Sequence, residues 1–470
     1  MDKSSQHREL LLTILMELAK IDDNRNVLCE NGIIKEILEM LRDNGPPEAC
    51  EAIIVLSTNI FCLKEILAEN VYTMLLNIAM NDEREWSQRT VALQAFLKLI
   101  NIQGFEKLME ISQDIGDGIA NILMTSDNIN FNQLAINILM KLSEYREIKG
   151  VLCETKLSEA IFHALARSSR STQLMVRLFN LISNFIDQEN VRKEFFNFNA
   201  IDLMKACMTS PASQIKAGVC NFINASTNYQ EFVEIFIQQG ILKILKENFD
   251  CTICSDAFET ILEHDLSIKF AFRGRLEAKD KIKSGFYASK GKRIQPEKLR
   301  ETIFSESSSP RSVVYTINID GELKLGERSI LFDKSFVELI NDVQTSSTFK
   351  TAELHEKIKF IATQVSKFLQ TTDECTSHQL HLHLTELKFK FSSSVIPLGS
   401  LICGNSFEAA ILFKAIADLT EIDASLNVND TGKAWNQVCN DTNVVDLMFD
   451  VGEMYEASSY VARKYLLEIS

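Results

Sequence analysis

The sequence predicts a mainly α-helical protein, a long helical solenoid followed by a smaller α+β region, and three observations predict it. Only 6 prolines and 17 glycines punctuate 470 residues, too few for a turn-rich all-β chain. In the first half an apolar anchor behind a polar or small pair recurs six times, in NGII, ENVY, QDIG, TKLS, NAID and QGIL, and each time it opens a helical stripe. After Phe249 that rhythm fades, and the last stretch alternates short β-branched or aromatic runs, ASLNV, KAWNQV and NVVDLMF, with Asn, Asp and Gly.

With Ile33, Val71, Ile115, Leu157, Ile201 and Ile241 as the anchors, the steps are 38, 44, 42, 44 and 40 residues, close to the period of armadillo and HEAT arrays. Short apolar helices such as NVLCE precede several anchors and longer ones such as QRTVALQAFLKLI fall between them, giving three helices per unit. The stretch IDDNRNVLCENGIIKEILEML resembles the armadillo consensus, and the resemblance runs over about residues 8–265, so the solenoid is assigned to 1–265. One unit cannot bury its own apolar faces; neighbours must stack, and the stack presents a long groove. The resemblance implies that proteins or extended peptides bind there, held by asparagines whose amides offer a donor and an acceptor. The matching positions are Asn59, Lys98, Lys141, Asn184 and Asn224, with the two lysines as selectors of acidic partners.

A net charge of −15 argues against nucleic acid as the main partner. Eleven scattered cysteines fit reduced, buried thiols, and no disulfide is expected. No apolar run is long enough to span a membrane, and the first residues lack a signal peptide's layout, so the expected compartment is the cytoplasm. One segment dissents from the acidic balance: 11 basic residues lie between Lys269 and Arg300, a local +8. With SESSSPRS behind it, residues 266–330 are assigned as a basic connector and linker that includes, at VVYTINIDGELKLG, a two-stranded hairpin turning at Asp320-Gly321.

Residues 331–470 form the second domain. VIPLGSL, the helix AAILFKAIAD, KAWNQV and VVDLM resemble, in order and spacing, the peptidase-like domain of the armadillo repeat-containing protein 3 family and of plant Raf-like kinases of ethylene and disease signalling. The resemblance implies a papain/transglutaminase-like α+β fold, whose active members carry a cysteine at the helix start, then a histidine, then an aspartate. Those positions hold Ser406, Lys433 and Asp446, so two of three are replaced and a pseudoenzyme is expected, its cleft completed by Trp435. Asn405 and Glu408 have the spacing of a capping box, which makes Ser406 a helix-starting residue. The rival is an active hydrolase or acyltransferase using Ser406-Lys433-Asp446 or Cys403.

Other patterns are weaker. Cys375, His378, His381 and His383 offer a zinc half-site without a second half, and the alternating leucines among them read as a strand with wet histidines. Cys251-x-x-Cys254 stands alone at the close of the array and reads as core. Residues 269–300 carry a second rival, a phosphate-binding or membrane-surface adaptor. The expectation as a whole is a non-catalytic protein-interaction scaffold without metal or cofactor, and the resemblance implies a setting in ciliated or male germ cells.

Overall fold

The computed structural model describes the chain except residues 1–2, 43–45, 103–104, 169–170, 291–312, 322, 326–327, 372–376 and 470. The described residues form two units, 1–228 with 243–257, and 229–242 with 258–470.

In the first part of the chain a helix, α1 (Lys3–Leu18), precedes repeated triplets: α2 (Asp22–Glu30), α3 (Ile33–Arg42), α4 (Glu48–Leu56); α5 (Ile60–Ala68), α6 (Val71–Met80), α7 (Trp86–Ile102); α8 (Phe105–Glu110), α9 (Ser112–Thr125), α10 (Ile129–Leu142); α11 (Arg146–Glu154), α12 (Leu157–Arg167), α13 (Thr172–Phe185); α14 (Glu189–Asn197), α15 (Ala200–Met208), α16 (Ser213–Ser226); α17 (Gln230–Gln238), α18 (Ile241–Glu247), α19 (Thr252–His264). All six anchors fall in the first turn of a second helix. The small or amide residue before them has a physical job: Gly32, Asn70, Asn199 and Gly240 take φ between 47° and 74°, the left-handed break between first and second helices. Within the first unit the third helices α4, α7, α10, α13 and α16 pack one upon the next, as armadillo-type stacking requires. Their inward residues, such as Phe96, Phe131, Leu139, Phe179 and Phe222, are fully or almost fully buried.

The second unit continues with α20 (Leu266–Arg273), β1 (Arg275–Leu276), β2 (Phe286–Ser289), β3 (Val314–Ile317), β4 (Leu323–Leu325), β5 (Arg328–Ile330), α21 (Lys334–Thr345), α22 (Ser347–Thr351), α23 (Leu354–Leu369), α24 (Ser377–Phe391), β6 (Val395–Pro397), α25 (Ser406–Leu419), β7 (Ala424–Val428), β8 (Ala434–Val438), β9 (Asn443–Val445), β10 (Met454–Glu456) and α26 (Tyr460–Glu468). An antiparallel sheet runs in the order β1-β7-β8-β9-β10, a second sheet in the order β2-β3-β6, and β4 pairs with β5. Helix α25 is the centre: Ser406 to Asp418 are all buried, and it packs on β7, β8 and α23. A helix buried on every side belongs in such a place, its Glu408, Lys414 and Asp418 each hydrogen-bonded.

Three expectations are corrected. The described part of the basic connector is no connector: Phe270, Leu276, Ile282, Phe286, Tyr315 and Ile317 sit in one core with α23 and α25, because β1 pairs with β7 and β3 with β6. The expected hairpin does not form, since β3 pairs with β2 and β6 while β4 pairs with β5. Gly321, at φ +85°, still makes the turn. The histidine-rich stretch is helix α24 rather than a strand; Leu380, Leu384 and Leu387 are buried at helical spacing, whereas Leu382 and Phe389 are exposed. The Ser/Pro-rich SESSSPRS and Cys375 lie outside the described residues.

Candidate functional site

The face of α10, α13 and α16 carries a ladder of polar side chains. Gln133 donates to Gln173 (3.2 Å), Arg177 to Asn137, Asn184 to Ser143 (3.1 Å) and Asn221 to Asn180 (3.4 Å). Between them lies a hollow of about 520 Å³, lined among others by Asn137, Met140, Gln173, Arg177, Asn180 and Gln214. Amides and a guanidinium around an open hollow offer both hydrogen-bond donors and acceptors.

The residues chosen from sequence sit differently. Asn59 is not on this face: it caps α5, accepting from Phe61 and Cys62 N–H and donating to Asn26 (2.9 Å), and is buried. Lys98 is exposed on α7, and Lys141 pairs with Glu144 at 2.7 Å, which raises its pKa and blunts its use as a charge selector. Asn184 belongs to the ladder. Asn224 is half-buried, and its side-chain oxygen is buried without a hydrogen-bond partner. The hollow itself is lined one helical turn earlier, by Asn137 and Asn180, with Asn221 behind them. Their steps of 43 and 41 residues match the repeat, and that was the available signal.

In the second unit the helix start at Ser406 is capped as the spacing predicts. Asn405 accepts from Phe407 N–H (3.1 Å), and Glu408 Oε2 accepts from Asn405 N–H (3.1 Å). Glu408 is wholly buried; its other oxygen accepts from Lys290 Nζ (2.6 Å) and the Tyr315 hydroxyl. Burial and the Glu408 carboxylate beside it push the Tyr315 phenol well above its usual range. Ser406 Oγ donates to the Ile469 carbonyl (3.2 Å), an acceptor that cannot serve as a base. Asp446 is buried with Oδ1 on Met448 and Phe449 N–H and Oδ2 on Asp450 N–H and the Tyr455 hydroxyl, so it ties down the loop after β9. Lys433 is partly exposed and its backbone closes the turn with Asn429. Among the described residues no hydrogen bond or ion pair joins Ser406, Lys433 and Asp446. Cys403 precedes α25 by three residues and packs, half-buried, against the core.

Sequence reasoning missed what covers these positions. Ala462, Tyr465 and Ile469 form a small core with Val444, against which Trp435, Met448 and Tyr455 pack, and the Tyr465 oxygen accepts from Leu447 N–H (3.1 Å). The segment from β10 to Ile469, just past α26, therefore touches all of Ser406, Trp435 and Asp446. Ser406→Ala is expected to lose one hydrogen bond, about 1 kcal/mol. A loss above twice that in urea unfolding would mean that Ser406 carries more than this contact.

The basic strip is answered within its own unit. Lys269 pairs with Asp280 (2.7 Å), Arg273 with Glu259, Arg275 with Asp441 (2.6 Å), Lys279 with Glu263 (3.3 Å), Lys281 with Asp423 (2.7 Å) and Lys290 with Glu408 (2.6 Å). Of the described basic residues Lys283 remains, exposed. Beneath the strip Lys414, fully buried, bonds the Asp280 carbonyl (2.6 Å) and Asp418 (2.7 Å). Burial lowers the Lys414 pKa and raises that of Asp418 to about 6, so both charges are held at a desolvation cost. The strip dissented in sequence because its partners are scattered from Glu259 to Asp441. His383 accepts from Ile402 N–H (3.2 Å), and the described residues contain no group of three or more His, Cys, Asp or Glu able to hold a metal.

A helical repeat array carrying a peptidase-like α+β domain is the class that these two units define. Residues 263–454 match the family model described as EDR1/CTR1/ARMC3, peptidase-like, which begins before α20 and closes at β10. Armadillo repeat-containing protein 3 of Homo sapiens is 31% identical over 151 residues, covering 28% of this chain and 17% of that protein, so the match spans less than a fifth of its length. The second unit is thus similar to the peptidase-like domain of that family model, and part of the chain is similar to armadillo repeat-containing protein 3. No described helix is long and apolar enough to cross a membrane.

Proposed function

We propose that this chain is a non-catalytic interaction scaffold that holds an extended segment of a partner protein across the ladder on α10, α13 and α16. The observation that carries this reading is the open hollow lined by Asn137, Arg177 and Asn180, whose side chains bond each other or the next helix and can exchange those bonds for a peptide backbone. The second unit acts as a pseudoenzyme, a reading supported by Ser406 donating to a carbonyl and Asp446 being spent on backbone amides. We place the domain border near residue 258, ahead of α20, rather than at 331. On the resemblance alone, the proposed setting is the cytoplasm, cilium or flagellum of ciliated or male germ cells.

The test is a partner pull-down from such tissue with the full chain and with Arg177→Ala/Asn180→Ala. Both positions are half-buried and outside the apolar core, so folding should persist by circular dichroism while recovery falls about ten-fold, the loss of roughly 1.4 kcal/mol. Undiminished recovery by the folded variant would sink the groove. Labelling of Ser406 or Cys403 by an acyl-type active-site probe would sink the pseudoenzyme reading.

A further inference from the structure

Helix α1 is apolar over more of its circumference than the array covers. With 3.6 residues per turn, Leu10, Ile14, Leu18, Leu11, Leu15 and Leu12 succeed one another around an arc of about 200°, twice the stripe by which a surface helix docks. Leu12 and Leu15 are buried, and α1 packs on α4. The other half of the arc is open: Leu10 and Leu11 are 61% exposed, Ile14 and Leu18 49%. Leu11, Ile14 and Leu18 also follow one another at steps of three and four residues, the spacing of a helix–helix seam. Just beyond them, Ile21 and Val27 add two more exposed apolar side chains.

The array itself shows what shape fits this face. Helix α1 packs on α4 as α4 packs on α7, which gives it the place of a third helix. Second helices stack α3 on α6, α6 on α9 and α9 on α12, and α6 also packs on α7 of its own triplet. Among the described residues no second helix fills the corresponding place beside α1 and α3. A hollow of about 330 Å³ lies there, walled by Leu11, Ile14 and Leu18 of α1 and by Ile33, Ile37 and Met40 of α3, and nine of its ten lining residues are apolar. It continues the array's own helix-on-helix interface, whereas a soluble repeat array ordinarily ends in a polar face.

We propose that this face is a dimerisation surface, occupied by α1 of a second copy of this chain laid antiparallel across the hollow. A two-fold interface needs one patch that is complementary to itself. Helix α1 meets that condition, since its exposed stripe can enter the hollow of the other copy while it walls its own. A two-fold axis near Ile14 sets Leu11 of each copy beside Leu18 of the other. Charge permits the approach: residues 1–42 hold 6 Lys and Arg against 8 Asp and Glu, net −2, whereas the whole chain carries −15. The six exposed apolar side chains and the hollow offer on the order of 600 Å² per copy, so pairing buries about 1,200 Å², the lower bound for a stable specific interface and enough for micromolar association.

The test is sedimentation equilibrium of the full chain from about 1 to 100 µM, a range that brackets such an affinity, with hydrogen exchange read by mass spectrometry at both ends of it. The expected result is a monomer–dimer equilibrium in which α1 and α3 exchange about ten-fold more slowly at the high concentration, while α13 and α16 do not change. Leu11→Glu/Leu18→Glu alters two exposed positions and should raise the dissociation constant about a hundred-fold with an unchanged circular dichroism spectrum. Because the protection is read on wild-type chain, it stands whether or not the variant folds. A chain that stays monomeric at the highest concentration would overturn the proposal and leave the face to a helix of another protein. A dimer protected elsewhere, or one that persists in the folded variant, would overturn it as well.

Discussion

Glu408→Ala is expected to destabilise the second unit by about 3–5 kcal/mol, the usual cost of removing one partner from a buried charged pair. The wild-type carboxylate answers three donors at once, Lys290, the Tyr315 hydroxyl and the Asn405 N–H, and is itself fully buried. Its loss leaves a buried phenol and a helix-start amide without partners, while Lys290, about a quarter exposed, turns to water. Glu408→Gln keeps an acceptor in place and should cost less. The chain has two tryptophans, Trp86 in the array and Trp435 on β8, so the fluorescence of Trp435 in a Trp86→Phe background reports this unit separately. A shift of the urea midpoint worth less than about 1 kcal/mol would show that the network does not stabilise the unit.

Gly399→Ala should cost nearly as much, and for a different reason. A Cβ built there would lie 2.2 Å from Asp333 Oδ1 and 2.6 Å from Phe336 N, distances no real contact reaches. Asp333 cannot yield easily: it caps α21 through Phe336 N–H (3.2 Å) and also accepts from Gly399 N–H (2.7 Å). Overpacking of this kind costs about 1–3 kcal/mol, and more when both neighbours are pinned. A double-mutant cycle with Asp333→Ala isolates the carboxylate's share of the crowding, because that change removes the nearest atoms and leaves only Phe336 N close by. The two changes should therefore be markedly less than additive, and simple additivity would refute the crowding account.

That glycine shows how far the sequence could be read. PLGSL was legible as a turn ahead of a helix, and Asn405 with Glu408 as a capping box, because both signals are local. The triplet repeat was equally legible, since six anchors open second helices and four of them follow the same left-handed break. What failed was non-local or ambiguous. Nothing near Lys269 announces that Asp280 and Glu408 will take up the charges of its strip, or that two residues of β1 will complete a sheet formed by β7 to β10. The leucines of α24 satisfy a period of two and a period of seven alike, and only packing chose between them. Lys141, Asn184 and Asn224 lie three or four residues beyond Asn137, Asn180 and Asn221, an offset that repeat spacing alone does not fix, and Asn59 lies at the cap of α5 instead.

The pairing of β1 with β7 also sets an order of events during synthesis. Arg275 lies opposite Asn427, roughly 150 residues later in the chain. A ribosome adding about 5–20 residues per second needs on the order of 8–30 s to make that interval. Throughout it, β1 must wait for its partner strand with Leu276 short of its full cover, whereas each array triplet meets its neighbour within a few seconds of emerging. The array can thus assemble as it is translated, and the second unit closes late, which makes the half-made second unit the stage at which this chain is most exposed to aggregation and most dependent on chaperones.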